Sequence, residues 1–469
     1  MLFNSFKFLL IFPLIFGVYW AIPAKFNQWR KWFLVLASYL LYMNWKPAYA
    51  LVLFGVTLIT YLGGYLFDNQ RVVNNNKQIV WLFALLGLFP LLVFKYYNFI
   101  NNSLTDGLAA IGLKFSLPGL NWAVPVGISF FTFQAVGYML DVYHGRIKAE
   151  RNFTDYLLFV SFFPQVASGP ISKADELLPQ IKKTQSFNYD QAVRGLKYLL
   201  WGMFLKVVLA DRVGIYVDTV FGAYEKFSGL GCVIASVFYS IQIYADFAGY
   251  SLMAVGVAKT LGFNLINNFK RPYFAASVTE FWKRWHISLT RWLTQQVYIP
   301  LGGSRCGKFR TYWNILVTFL VSGIWHGANW TFIVWGGMHG VFQIVEKAFG
   351  WNKKESKGVV KTLRILVTFT IVTLAWVVFR SLSIGEAVGL MGRYFTSAGK
   401  TIADIQCLAY IIIAIIPLLL FEFGKEVFPR IYSMLCNVRV IRWVTYLAVF
   451  AMIVLLGVHD GSSFIYVSF

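Results

Sequence analysis

The sequence predicts an all-α polytopic membrane protein, and three observations carry the prediction. Of 469 residues, 58% are hydrophobic and 13% charged, and the mean hydropathy is +0.61, a balance that excludes a soluble globular domain. Apolar runs of about 18 or more residues, the length that crosses hydrocarbon as a helix, recur along the whole chain. These runs are continuous, whereas a transmembrane β-barrel needs alternation of apolar and polar positions.

The candidate spans are 2–22, 31–45, 47–67, 78–100, 121–143, 192–215, 230–262, 312–328, 329–348, 361–381, 402–424 and 442–458. The run at 31–45 is short for a crossing and 230–262 is long, so tilting or breaking is expected there. No long polar segment separates two halves, and residues 1–469 read as a single integral membrane domain. The first run resembles a signal peptide, with Lys7 and an apolar core ending near Ala21-Ile22-Pro23-Ala24. Lys25, Arg30 and Lys31 follow it, which suits an uncleaved helix with a cytoplasmic C-terminal end.

Charge supports the same reading. The chain has 42 Lys and Arg against 20 Asp and Glu, a net charge of +22. The cations cluster in short loops between apolar runs, as cytoplasmic loops do, which fits better than a nucleic-acid partner. The clusters at 25–31, 71–77, 146–151, 182–183, 270–271, 305–310, 353–361 and 425–442 together place both termini outside. Two apolar segments, 153–170 and 281–300, have basic loops on both sides. They read as re-entrant or interfacial elements, and Phe163-Pro164-Gln165 and Ser168-Gly169-Pro170 would interrupt a helix in the first. Irregular backbone at membrane depth belongs where protein or a watery cavity covers it.

Five histidines are present, and two lie in one apolar stretch. An ionisable side chain at membrane depth is costly and marks a functional site by default. His326 stands in Gly323-Ile324-Trp325-His326-Gly327-Ala328-Asn329-Trp330, where Trp325, Trp330 and Trp335 can shape a slot that excludes water. A neutral imidazole there is a general base for a hydroxyl or thiol; the plainer alternative is a histidine bonded to a neighbouring helix. Trp325 and Asn329 flank it as candidate substrate contacts. His339, in Met338-His339-Gly340, either shares that pocket or supports it. His286 lies in Glu280-Phe281-Trp282-Lys283-Arg284-Trp285-His286, whose alternating charges and rings suit an interfacial helix; its cations, Arg284 among them, can also hold an anionic donor. Asp246 is a carboxyl within an apolar span and needs a partner, with Arg271 or Lys270 as candidates and a structural or substrate-positioning role. Asp141 reads as an interface carboxylate. His144 and His459 read as solvated loop residues. Cys232, Cys306, Cys407 and Cys436 are scattered, and no metal, haem or nucleotide fingerprint is present. No nucleophile motif occurs, so acyl chemistry would proceed by direct transfer or through a partner's nucleophile.

Several blocks, in order, resemble the membrane-bound O-acyltransferase (MBOAT) family in its AlgI-like bacterial branch of polysaccharide O-acetylation. They are Pro125-Val126-Gly127-Ile128-Ser129-Phe130-Phe131-Thr132-Phe133-Gln134 with Tyr138 and Asp141, then Phe163-Pro164-Gln165, Gly169-Pro170-Ile171 and Leu177-Leu178-Pro179-Gln180. Tyr244-Ala245-Asp246-Phe247, Phe281 to His286, Tyr298-Ile299-Pro300-Leu301-Gly302-Gly303, and Trp325-His326-Gly327 through His339-Gly340 complete the set. The resemblance implies a helical bundle of about 11–12 spans with re-entrant elements around a central catalytic constriction. It implies His326 as the catalytic histidine and His286 as a second functional position. It further implies a cytoplasmic acetyl-CoA donor and an extracytoplasmic polysaccharide acceptor such as alginate, cellulose or peptidoglycan. A separate exported acyltransferase of the SGNH or AlgX/AlgJ type would finish the transfer, in a bacterial inner membrane. The alternatives are D-alanyl transfer to teichoic acid as in the DltB branch, a transporter of a small anion or lipid, and a scaffold that recruits the exported enzyme.

Overall fold

The computed structural model describes residues 3–69, 77–351 and 356–458. Among them the regular structure is helical, and β-pairing is confined to one isolated bridge between Phe227 and Lys400. The helices divide between two compact units. The first comprises Met1–Leu196 with Ala254–Ile266, the second Lys197–Met253 with Asn267–Phe469.

The first unit begins with α1 (Phe6–Ala21), capped by the Ser5 hydroxyl, which accepts from the Phe8 amide. It turns by 104° into α2 (Asn27–Met43), so the first two predicted spans form a bent pair. The basic residues at that bend depart from expectation. Arg30 and Lys31 are buried rather than lying in a solvated loop. Arg30 donates to the carbonyls of Ile22 and Gln185 at 2.8 Å each, and Lys31 pairs with Asp155 at 2.6 Å. Next come α3 (Tyr49–Phe67) and the long helix α4 (Gln78–Ala110). The predicted span at 121–143 is helical only from Ile128, as α5 (Ile128–Tyr143); residues 113–125 have no regular structure. Gly127, left-handed at φ 74°, precedes that helix, and a side chain there would run into the Val166 carbonyl.

The segment at 153–170 is broken as its glycine and prolines predict. It forms α6 (Phe153–Ser161), capped by Asn152, and the single turn α7 (Phe163–Val166), nearly all buried. After α8 (Ala174–Lys182) comes α9 (Tyr189–Met203), which continues into the second unit. Asp141 sits in an ion pair with Arg146 at 2.8 Å. His144 is exposed, as expected. His459 lies outside the described residues, as do Arg71, Lys353 and Lys354 of the basic clusters.

In the second unit a π-helical turn, Phe204–Ala210, joins α9 to α10 (Asp211–Phe221). The 32-residue α11 (Gly229–Thr260) serves both units. The segment at 281–300 is again broken, into α12 (Val278–Arg284), α13 (Ile287–Leu293) and a π-turn at Thr294–Tyr298. The hairpin α14 (Lys308–His326) and α15 (Trp330–Ala348) follows, then α16 (Gly358–Arg380), α17 (Ile384–Arg393), α18 (Ile405–Val427), α19 (Pro429–Asn437) and α20 (Arg439–Leu456).

Six helices among the described residues are long and apolar enough to cross a bilayer, and the bent pair α1–α2 offers a seventh crossing. Their outer faces suit lipid. In α20 only Val449 is buried, while Val440, Leu447 and Leu455 are exposed. Apolar area of that extent is not left to water by a soluble protein. The chain is a multi-pass, membrane-embedded helical protein.

Candidate active site

The site grows from a glycine-mediated crossing of α14 and α15. A Cβ on Gly323 would run into the Phe332 carbonyl, and one on Gly336 would run into the Phe319 carbonyl. Small residues at such positions let two helix backbones touch. One turn beyond these glycines stand the two histidines, since His326 is three residues after Gly323 and His339 three after Gly336. Helix α14 stops at His326 because Gly327 is extended and the Phe332 ring fills the space where a side chain would go. Asn329 then starts α15 by accepting from the Thr331 amide at 3.1 Å, and its own side-chain amide donates to the Leu382 carbonyl at 2.9 Å.

His326 is buried among rings. Its imidazole lies 4.9 Å from Trp325, 4.9 Å from Trp335 and 5.4 Å from Phe379, all edge-on. Trp325 therefore packs directly on His326. Trp330 does not: it is 55% exposed, and beside the expected Trp335 the shell is completed by Trp376 and Phe379, the three packing on one another.

His286 is brought to the same place by the break between α12 and α13. Its centroid lies 6.4 Å from that of His326 and 5.6 Å from Trp325. It occupies the left-handed region at φ 42°, a conformation that costs a side-chain-bearing residue energy and persists where surroundings enforce it. Asn268 does the enforcing. Its side-chain oxygen accepts from the Ser288 amide at 3.0 Å and faces His286 Nδ1 at 3.4 Å. Its backbone carbonyl accepts from the Ile287 amide at 3.0 Å and closes the turn. Phe247 packs edge-on against the imidazole at 4.6 Å. With the Asn268 oxygen as acceptor, His286 carries its proton on Nδ1 and keeps a lone pair on Nε2. Enclosed by Phe247 and Trp325, the ring is held neutral, because a charge buried in apolar surroundings is costly.

His339 belongs to the same cluster, with its ring 4.9 Å from Trp335 and 5.1 Å from Trp282. The Trp282 indole donates to His339 Nδ1 at 3.2 Å. Glu346, two turns further along α15, fastens α12 by accepting from the Thr279 amide and hydroxyl at 2.9 Å each. A carboxylate at that helix start also suits the helix dipole.

Two predicted site residues are engaged elsewhere in the second unit. Arg284 binds Glu280 at 2.6 Å and Glu426 at 3.0 Å. Asp246 is buried, but neither Arg271 nor Lys270 is its partner: Arg271 pairs with Glu426 at 2.6 Å, and Asp246 pairs with Lys206 at 2.7 Å. Lys206 also holds Asp211 at 2.7 Å and lies 5.4 Å from the Tyr250 ring. Another glycine crossing sets this triad, because Gly202 and Gly249 bring α9 and α11 together. Asp246 connects to the histidines through its neighbour Phe247. Lys206 was within reach of sequence reasoning, as a lysine inside a predicted span carries the same signal that drew attention to Asp246.

A polytopic helical protein that buries paired histidines in an aromatic shell has the makings of an enzyme working at membrane depth. Similarity to known proteins specifies the class. Residues 147–352 match the membrane-bound O-acyltransferase family. The chain is 36% identical over 410 residues to the probable alginate O-acetylase AlgI of Pseudomonas syringae pv. tomato, covering 87% of this chain and 77% of that one. It is 35% identical over 422 residues to the peptidoglycan O-acetyltransferase of Helicobacter pylori, covering 83% and 79%. Against the teichoic acid D-alanyltransferase of Streptococcus thermophilus the identity is 29% over 345 residues, covering 67% and 78%. The chain belongs to the membrane-bound O-acyltransferase family, and it is an O-acyltransferase.

Proposed function

We propose that this protein takes an acetyl group from cytoplasmic acetyl-CoA and passes it across a bacterial inner membrane for O-acetylation of an extracytoplasmic polysaccharide. The observation that carries the reading is the buried pair His326 and His286, 6.4 Å apart in a shell of aromatic rings. The two relatives named as O-acetylating enzymes are more similar to this chain than the D-alanyltransferase, which favours acetyl over D-alanyl transfer.

His326 acts as general base. Its imidazole takes the proton of an acceptor hydroxyl as the oxygen attacks the thioester carbonyl. The tetrahedral intermediate collapses, the carbon–sulfur bond breaks, and the imidazolium returns its proton to the departing thiolate. His286 stays neutral beside it and orients the acceptor. The rings keep bulk water, a competing nucleophile, from the thioester. Trp325 lines this slot, Asn329 holds the turn after His326, and Asp246 braces the helix that carries Phe247. The acceptor hydroxyl belongs either to the glycan or to an exported acyltransferase of the SGNH or AlgX/AlgJ type that completes the transfer outside.

The test uses purified protein in nanodiscs with radiolabelled acetyl-CoA, with and without the exported acyltransferase. Thioester loss and label transfer that vanish in His326→Ala are expected. Full transfer by His326→Ala would remove the histidine from the mechanism, and transfer by neither form with the partner present would count against acetyl-CoA as donor.

A further inference from the structure

At the ring that touches His326, and on the histidine packed against that ring, are two buried hydrogen-bond donors for which the protein supplies no acceptor among the described residues. One is the Trp335 indole N–H. The other is on His339. Its Nδ1 accepts from Trp282 at 3.2 Å, so the proton of the neutral ring sits on Nε2, and Nε2 likewise has no partner among the described residues. Both side chains are fully buried. Their rings are 4.9 Å apart, and the Trp335 ring is also 4.9 Å from His326. A buried donor without an acceptor is costly, and native proteins rarely leave one so. Two of them in contact with each other, one against the general base, call for an acceptor that arrives with the substrate. The indoles of Trp285 and Trp376 also have an N–H without a partner among the described residues; they lie one ring further out, with Trp376 stacked on Trp335 at 5.5 Å and Trp285 packed on Trp376 at 5.0 Å, whereas the Trp335 ring itself touches His326.

We propose that Trp335 Nε1–H and His339 Nε2–H are the donors that receive the carbonyl oxygen of the acyl group as it becomes an oxyanion. The assignment rests on His326 as the base of acyl transfer and adds the groups that stabilise the charge. When the acceptor oxygen adds to the carbonyl carbon, the C=O electron pair moves onto oxygen, and donors already in place stabilise that charge without reorganising. Trp282 contributes as a positioning residue: its N–H occupies Nδ1 of His339 and so keeps the His339 proton on the other nitrogen. The sequence shows only a histidine and a tryptophan four apart on α15, and the tautomer needs the contact with α12.

The experiment replaces Trp335 by 3-benzothienylalanine, which keeps the ring shape and puts sulfur where the N–H was. In full-length protein in nanodiscs, kcat and KM for acetyl-CoA and the thermal midpoint are measured beside His326→Ala, His339→Gln and His339→Leu. The proposal expects the benzothienyl variant to lose on the order of 100-fold in kcat, with little change in KM and a midpoint equal to or above wild type. His339→Gln, which retains a donor, should keep more activity than His339→Leu. An inactive His326→Ala with a fully active benzothienyl variant would overturn the donor assignment alone. Full activity in both would overturn the reading of the site and this inference with it. A benzothienyl variant that loses its midpoint would mark the indole N–H as a structural donor and also overturn the assignment.

Discussion

Two clusters of buried ionisable groups in the second unit are treated differently. At Lys206, Asp211 and Asp246 each charge faces an opposite one at 2.7 Å. At His326, His286 and His339 the surroundings are rings, with Trp325, Trp335, Phe247 and Trp282 in direct contact. Both places are made by glycines that let helices touch, Gly202 with Gly249 and Gly323 with Gly336. The same packing device therefore serves two ends. Where a lysine meets carboxylates, the groups compensate one another and hold helices together. Where they can be neutral, they are kept in an apolar shell, as the proposed proton transfer requires.

The comparison predicts opposite signatures for substitutions. The largest effect falls on activity: His326→Ala should lower acyl transfer by at least about 100-fold, read as label transfer from donor thioester. Next is stability at the triad. Asp246→Ala leaves Lys206 with one carboxylate instead of two, and breaking a buried ion pair costs about 3–5 kcal/mol. Denaturant or thermal unfolding in detergent should show that loss, and restoration of activity at lower temperature would separate it from chemistry. Third is the helix crossing. Gly336→Ala drives a Cβ into the Phe319 carbonyl, and overpacking of this kind costs about 1–3 kcal/mol; a lowered midpoint with reduced kcat is expected, since the backbones that carry both histidines must separate. The smallest effect is at the rim, where Arg380 and Asp218 pair at 2.7 Å with the Asp218 side chain 62% exposed. Asp218→Asn should change stability by about 0–1 kcal/mol and leave transfer at the wild-type rate.

Much of this was legible in the sequence, for physical reasons that differ by element. Continuous apolar runs pointed to the long helices, because spanning hydrocarbon is a constraint each segment meets alone. The breaks at 153–170 and 281–300 followed from proline, glycine and charge placed where no helix or loop would want them. His326 stood out because an ionisable residue within an apolar run is costly, and the structure places Trp325 against it. What depended on partners far along the chain was hidden. The pairing of Asp246 with Lys206 needs the crossing of α9 and α11, and the burial of Lys31 needs Asp155, 124 residues away. The expected helix at 121–127 failed because hydrophobicity reports burial or lipid contact and not backbone shape. Trp330 pointed outward for a related reason: aromatic residues serve a lipid-facing surface as well as a pocket.

The most direct test of the account places His326→Ala and Asp246→Ala side by side in nanodiscs, with thermal midpoint and acetyl transfer measured on the same preparations. The account predicts that His326→Ala keeps the wild-type midpoint and loses transfer, while Asp246→Ala loses midpoint and recovers transfer when cooled. A His326→Ala protein that unfolds early, or one that transfers acetyl at the wild-type rate, would contradict it.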